Sequence, residues 1–336
     1  DDGGVTEVAS IDKDTIWTLE GGPYLINEDL EVPVDVTLQI DPGVTVYFAE
    51  GRRMTVKGRL VAEGNDKMPI VFTNDPGSDG GWDGIYFEST KEESRMIYIL
   101  QDGADSGDQS ISILESRVHL ENVEWGGTDK TTLELSNPQI DVLRCDFPST
   151  LGQEVIHGEG LGNDGYFNLK ENIFRTSSGY NDIIDFSGGR RPGPVIYVVD
   201  NVFLGSADDC LDLDGVDAHI EGNYFFNVHK DDPDRQSSAN AVAADNDSHL
   251  TVVRNLFYDV DHAILLKNAS DAVFENNTVV DAVVAAISFD EPLVGEGVPG
   301  DFISIKGNIF YNNGTLFAYQ FSSEDGEEDP LIEADM

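Results

Sequence analysis

Apolar and polar residues alternate along this chain in short runs. Asp182-Ile-Ile-Asp-Phe-Ser187, Asp209-Cys-Leu-Asp-Leu-Asp214, Asn240-Ala-Val-Ala-Ala-Asp245, His262-Ala-Ile-Leu-Leu-Lys267 and Ala285-Ala-Ile-Ser-Phe-Asp290 are of this kind. A period of two predicts strands, and no segment sustains the 3.6-residue apolar period of a helix. A second strand follows each run, such as Val195-Ile-Tyr-Val-Val199 or Leu250-Thr-Val-Val253, and then an asparagine turn. That turn recurs as Glu171-Asn172-Ile-Phe174, Asp200-Asn201-Val-Phe203, Gly222-Asn223-Tyr-Phe225, Arg254-Asn255-Leu-Phe257, Glu275-Asn276-Asn-Thr278 and Gly307-Asn308-Ile-Phe310, with an earlier copy at Glu121-Asn122-Val123. From Asn172 onward the chosen asparagines are 29, 22, 32, 21 and 32 residues apart, a unit of 21 to 22 residues with loop insertions. Three short strands per unit predict an all-β fold, a single-stranded right-handed parallel β-helix in which each repeat covers its neighbours. Asparagine tolerates the left-handed turn, and its amide can bond the asparagine one rung away. Cys145, in Arg144-Cys-Asp-Phe147, occupies that slot as a buried stand-in.

The register places chemistry on the first strand of each rung. Ile184 and Phe186, Leu211 and Leu213, Val242 and Ala244, Ile264 and Leu266, Ile287 and Phe289 are expected to face the core. Three outward rows remain, with Glu154-Val-Ile-His-Gly-Glu159 as an earlier rung. They are Val155, Ile183, Cys210, Ala241, Ala263, Ala286; then His157, Asp185, Asp212, Ala243, Leu265, Ser288; then Glu159, Ser187, Asp214, Asp245, Lys267, Asp290. Asp185 over Asp212, and Asp214 over Asp245, are like charges one rung apart. At about 4.8 Å and an effective dielectric of about 20, each pair costs on the order of 3 kcal/mol before screening. A proton, a cation or Lys267 would relieve it. Calcium is the expected ion, because Asp185, Asp212, Asp214 and Asp245 offer hard oxygen ligands.

The chain's 336 residues give ample material for this core, with 40% apolar residues, 34 glycines and 13 prolines. Sixty-four acidic against twenty basic side chains leave a formal charge of −44. That excludes electrostatic binding to nucleic acid or to an anionic membrane. No run reaches the 18 apolar residues of a membrane span, and two cysteines exclude a disulfide scaffold. The start at Asp1 is read as that of a mature exported protein, secreted or held at the cell surface. Expected boundaries are an extension and cap at 1–29, the solenoid at 30–320, and an acidic end at 321–336, trimmed from a longer protein. The solenoid is expected to be a monomer.

Short strands at 30–40, 41–48, 54–61 and 70–73 carry the phrases Asp41-Pro-Gly-Val-Thr-Val46 and Gly58-Arg-Leu-Val-Ala-Glu-Gly64. This stretch resembles the opening rungs of secreted bacterial parallel β-helix proteins of the pectate-lyase-like superfamily, a likeness covering roughly residues 20 to 320. Asn181-Asp182-Ile-Ile-Asp185-Phe and Asp208-Asp209-Cys210-Leu-Asp212-Leu are similar to the first two motifs of the polygalacturonase family of inverting glycoside hydrolases. The resemblance implies acid/base roles for Asp182, Asp208 and Asp209. The third family motif, Gly-His-Gly, is replaced by Asn240-Ala241-Val242. The fourth, Arg-Ile-Lys, is absent, the nearest basic residue being Lys267. Lys267 also resembles the basic residue that calcium-dependent pectate lyases place on this face as a base. Two aspartates flank it, however, and they favour its charged form. His157, His229 and His262 lie on or beside the face, with His157 a further catalytic candidate. Arg190, Arg191, His229, Lys230, Arg235 and His262 are the candidates for holding an acidic sugar. The expected partner is a polysaccharide, uronate-containing in this reading. The alternative is a non-catalytic structural or adhesive solenoid. Cys210, outward among carboxylates, is discounted as a nucleophile.

Overall fold

The computed structural model describes residues 4–189, 191–193, 195–235, 237–289, 298–318 and 331–335. The fold is all-β, a right-handed parallel β-helix. Among the described elements only the 3₁₀ turn Leu19–Gly21 is not a strand. Contacts divide the chain into two compact units. The first comprises residues 1–150, 155–157 and 162–167; the second comprises 151–154, 158–161 and 168–336.

In the first unit, strands pair in parallel along three columns. One runs Leu30, Met54, Ile85, Ile111, Leu133; another runs Thr37, Arg59 and, a register position on, Val61, Arg95, His119, Asp141. Alternation puts every second side chain inside: Leu30, Met54, Ile85, Ile111 and Leu133 are all buried. Phe48 stacks on Trp82 at 3.9 Å and Trp125 on Phe147 at 4.7 Å, each ring contributing roughly 2–3 kcal/mol by burial. Pairing already begins before residue 30: Thr6–Val8 pairs with Tyr24–Ile26, and Thr15–Trp17 with residues 38–40.

The second unit repeats the plan. Its first column is Ile184–Ser187, Leu211–Asp214, Ala243–Asp245, then the later parts of the long strands Leu256–Leu266 and Thr278–Ser288. All ten side chains expected to face the core from these rungs are buried. Phe174, Phe203, Phe225 and Phe257, each two residues past a ladder asparagine, stack at 4.7, 4.8 and 4.9 Å. Within the acidic end, Leu331–Asp335 pairs with Phe302–Lys306, and 321–330 lies outside the described residues.

The asparagine ladder forms, with two corrections. Its members are Asn172, Asn201, Asn223, Asn255 and Asn277, each donating backbone N–H and side-chain Nδ2–H to the next Oδ1 at 2.8–3.1 Å up to Asn277, whose N–H reaches Asn308 at 2.7 Å. Asn277, not Asn276, is the rung member. The left-handed seat belongs to the residue before the ladder position: Glu171, Asp200, Gly222, Arg254, Asn276 and Gly307 all have φ between 55° and 68°. At the earlier copy, Asn122 likewise takes that seat and Val123 the buried slot. Cys145 is buried and its Sγ lies 3.4 Å from the Leu143 carbonyl.

Candidate active site

The first-column register is the expected one. Asp185 lies beside Asp212, and Asp214 beside Asp245, while the Lys267 N–H bonds the Ala244 carbonyl at 2.8 Å. Two of the three rows differ. Val155, Ile183, Cys210, Ala241, Ala263 and Ala286 were expected outward and are all buried. Ala243, Leu265 and Ser288 of the second row were expected outward and are buried too. Ala263 and Ala286 lie inside the long strands Leu256–Leu266 and Thr278–Ser288, and Ile183 and Cys210 stand at the rung corner, immediately before the strands that begin at Ile184 and Leu211. There two successive side chains are enclosed and strict alternation fails. Cys210 is thus not outward. Burial first, then Asp209 and Asp182, push its thiol well above the usual range, so it stays un-nucleophilic for a stronger reason.

Asp182, Asp208, Asp209, Asp212 and Lys267 line one pocket of about 340 Å³ with Glu154, Tyr180, Asn181 and Ser237. The strand-leading positions bring three carboxylates together: one oxygen each from Asp182, Asp208 and Asp209 lies within 4.8 Å of the others. Backbone and amide donors fix two of them. The Asp209 N–H donates to Asp182 Oδ1 at 3.0 Å, while Asn240 donates its N–H and Nδ2–H to Asp209 Oδ1 at 2.8 and 2.7 Å. The residue standing where the resemblance expected Gly-His-Gly therefore orients an acid. Asp208 pairs with Arg235, whose Nη2 lies 3.3 Å away.

Burial and mutual repulsion dominate the electrostatics. Burial, then Asp209, Asp212 and Asp208, hold the Asp182 carboxyl well above its ordinary range. Burial, Asp212 and Asp208 do the same to Asp209 against the opposing pull of Lys267 and Asn240. Asp212 is pushed up to about 7 by burial and Asp214, and Asp214 to about 6 by burial and Asp245. Oδ1 of Asp212 and the hydroxyl of Ser237, on two residues that line the pocket, are buried with no hydrogen-bond partner among the described residues.

The remaining candidates have other places. Lys267 sits 3.6 Å from Asp245. Of the four proposed calcium ligands, Asp185 and Asp212 form one row and Asp214 and Asp245 the next. The described carboxylates that converge closely enough to share one cation are instead Asp182, Asp208 and Asp209. Arg191 pairs with Asp217 at 3.2 Å and Asp247 at 2.7 Å, and Arg190 lies outside the described residues, as does Asp290. His229 bridges Asp261 and Asp259 at 2.8 and 3.0 Å; Lys230 Nζ donates to the Arg235 carbonyl at 2.9 Å. His262 is buried, held neutral by burial with its pKa lowered to about 4, and neither ring nitrogen has a hydrogen-bond partner among the described residues. His157 belongs to the first unit, where Nδ1 meets Glu134 at 2.8 Å, and it does not line the pocket. Tyr180 and Ser237 were not foreseen. Tyr180 adjoins the Asn181-Asp182 motif, and its ring lies under the Arg235 guanidinium at 4.6 Å. Ser237 lies on a loop with no pattern to mark it.

A parallel solenoid with a carboxylate-lined pocket on its first strand column is thus the class that fold and site define. The chain belongs to the right-handed β-helix region family, which matches residues 160–328. No curated protein sequence matches it. Among solved structures it is similar to the catalytic domain of a GH87 α-1,3-glucanase variant bound to tetrasaccharides, at 11% identity and TM-score 0.58, over 99% of this chain and 68% of that one. It is also similar to a PL6-family alginate lyase, at 14% identity and TM-score 0.51, over 96% of this chain and only 50% of the lyase. At these identities the likeness is one of fold. Among the described residues no helix is long and apolar enough to cross a membrane.

Proposed function

We propose that this protein binds a polysaccharide outside the cell and hydrolyses it in the Asp182–Asp208–Asp209 pocket. The observation that carries the reading is the convergence of three carboxylates within 4.8 Å in a 340 Å³ pocket, two of them pushed well above the carboxylate range. Glycoside hydrolysis needs one carboxylic acid to protonate the leaving oxygen and one carboxylate to activate water or attack carbon. Asp209 is the acid: its Oδ1 is occupied by Asn240, leaving Oδ2 for the proton. Asp208, paired as a carboxylate with Arg235, is the base or nucleophile, and Asp182 is fixed beside both. The two solved structures above, named for a glucanase and an alginate lyase, are polysaccharide-acting examples of the same architecture.

Lyase chemistry is less well supported. Lys267 would have to be neutral to take a proton, yet Asp245 lies 3.6 Å from its ammonium, and its charge acts on Asp209 and Asp212. A divalent cation on Asp182, Asp208 and Asp209 is the arrangement that would revive it. The test is reducing-end release from a panel of neutral and uronate polysaccharides by wild type and Asp209→Asn, each with EDTA and with calcium. The expected result is saturated products, no dependence on calcium, and a loss of about 10²–10⁴-fold in the variant. Activity retained in Asp209→Asn sinks the assignment, and unsaturated products appearing only with calcium would make it a lyase. The resemblance implies inversion, which uses carboxyl groups roughly 6.5–9.5 Å apart, whereas retention uses groups about 5–5.5 Å apart. The anomer of the first product, read by NMR, decides between them.

A further inference from the structure

An acidic glycan needs a cation to receive its carboxylate, and six side chains were put forward for that task. Of the five that are described, four already have protein partners. Arg191 is bound by Asp217 and Asp247, and His229 by Asp259 and Asp261. Arg235 donates to the Ala207 carbonyl at 2.6 Å, pairs with Asp208 and stacks over Tyr180, with its side chain 12% exposed. Lys230 Nζ is turned onto the Arg235 carbonyl. The fifth, His262, is buried and neutral. Lys267 is the one cationic residue among the described residues lining the pocket, and it stands against Asp245. Facing it are five carboxyl groups, Glu154, Asp182, Asp208, Asp209 and Asp212.

We infer that the glycan taken by this pocket is neutral, and that the surplus of carboxyl groups over cations rejects uronate-bearing chains. The inference rests on the proposed hydrolase reading and refines its substrate. A sugar hydroxyl can donate to the buried Asp212 Oδ1 and accept from or donate to the Ser237 hydroxyl, the two atoms left without partners. A uronate carboxylate can donate to neither, and it adds a negative charge to a lining so crowded with carboxyl groups that Asp182 and Asp209 already resist ionisation. Such rejection is negative selection: the neutral chain is favoured by what the pocket withholds from the acidic one.

The test uses matched pairs. Several neutral homopolymers, α-1,3-glucan among them, are compared with the same polymers oxidised at C6 to carboxylates. Binding to the intact protein is measured at low and high salt, with EDTA and with calcium, and hydrolysis is followed for wild type and Asp209→Asn. The expected result is at least about tenfold tighter binding of a neutral polymer than of its oxidised counterpart, narrowing as salt screens the repulsion. Equal or tighter binding of the oxidised form, with or without calcium, overturns the neutral-glycan inference and leaves the hydrolase reading standing. No binding or cleavage of either form across the panel overturns both.

Discussion

The asparagine column and the aspartate rows are stacked by the same parallel rungs of the second unit, yet they satisfy themselves in opposite ways. An amide carries both donor and acceptor, so each asparagine in the column can feed the next: Asn201 gives N–H and Nδ2–H to Asn223, which gives Nδ2–H to Val198 and Asn255. A carboxylate only accepts. Asp185 beside Asp212, and Asp214 beside Asp245, therefore gain nothing from being stacked. Asp245 draws relief from the Asn246 N–H and the Asn268 Nδ2–H, each 2.6 Å from its Oδ1, and from Lys267; a proton or a ligand adds to it. Repetition in a solenoid thus builds rigidity when the repeated group is an amide and stores reactivity when it is an acid.

The largest effect should come from breaking the column that satisfies itself. Asn223→Ala removes the acceptor of the Asn201 N–H and of one Asn201 Nδ2–H, the other still reaching the Leu169 carbonyl, and takes one donor from the Val198 carbonyl. At about 1–3 kcal/mol for each stranded group, with partial relaxation, the expected loss is about 3–5 kcal/mol in chemical denaturation. A loss below about 1 kcal/mol would mean that the amides contribute little beyond filling space.

The second effect has the opposite sign. A carboxyl pushed up in the fold holds its proton where the unfolded chain, with an ordinary value near 4, has released it. For Asp212 at about 7 and Asp214 at about 6, stability is therefore greatest at the acid side of the window and falls as pH rises from about 4 to about 7. Asp212→Asn removes the larger of these two shifts. It should flatten the decline and make the variant more stable than wild type at pH 8, by about 1–2 kcal/mol. Denaturation midpoints at pH 5 and pH 8, in EDTA, measure this; a variant as pH-sensitive as wild type removes Asp212 from the strained set.

These contrasts also show what the sequence made legible. Alternation and the spacing of Asn-x-Phe were enough to set Asp185 against Asp212 and Lys267 near Asp245, because parallel register follows from which residues must be buried. The choice between Asn276 and Asn277 was not legible. Two adjacent asparagines suit the left-handed seat and the ladder slot equally, and only the rung-to-rung bonding separates them. The row at Ile183 and Cys210 failed because alternation was extended into a corner. The cation partners were hidden for a different reason. The loop at 229–238 has no period, so nothing local says that Arg235 folds back onto Asp208 and Tyr180 instead of reaching for a ligand.

The smallest predicted change isolates the difference between the columns. Ser237 is 4% exposed and lines the carboxylate pocket, and its hydroxyl has no hydrogen-bond partner among the described residues. Deleting a buried polar group costs stability when a neighbour depends on it, as for Asn223. It costs nothing, and relieves desolvation, when no neighbour does. Ser237→Ala should therefore leave the unliganded protein unchanged or stabilise it, by up to about 1 kcal/mol in denaturant titration. The same variant should lose roughly tenfold in affinity for the best glycan of the panel, the value of about one hydrogen bond at 1.4 kcal/mol per factor of ten. If the change instead destabilises the free protein and spares binding, the hydroxyl is a structural group like the ladder amides, and the pocket's unpaired atoms are no guide to its ligand.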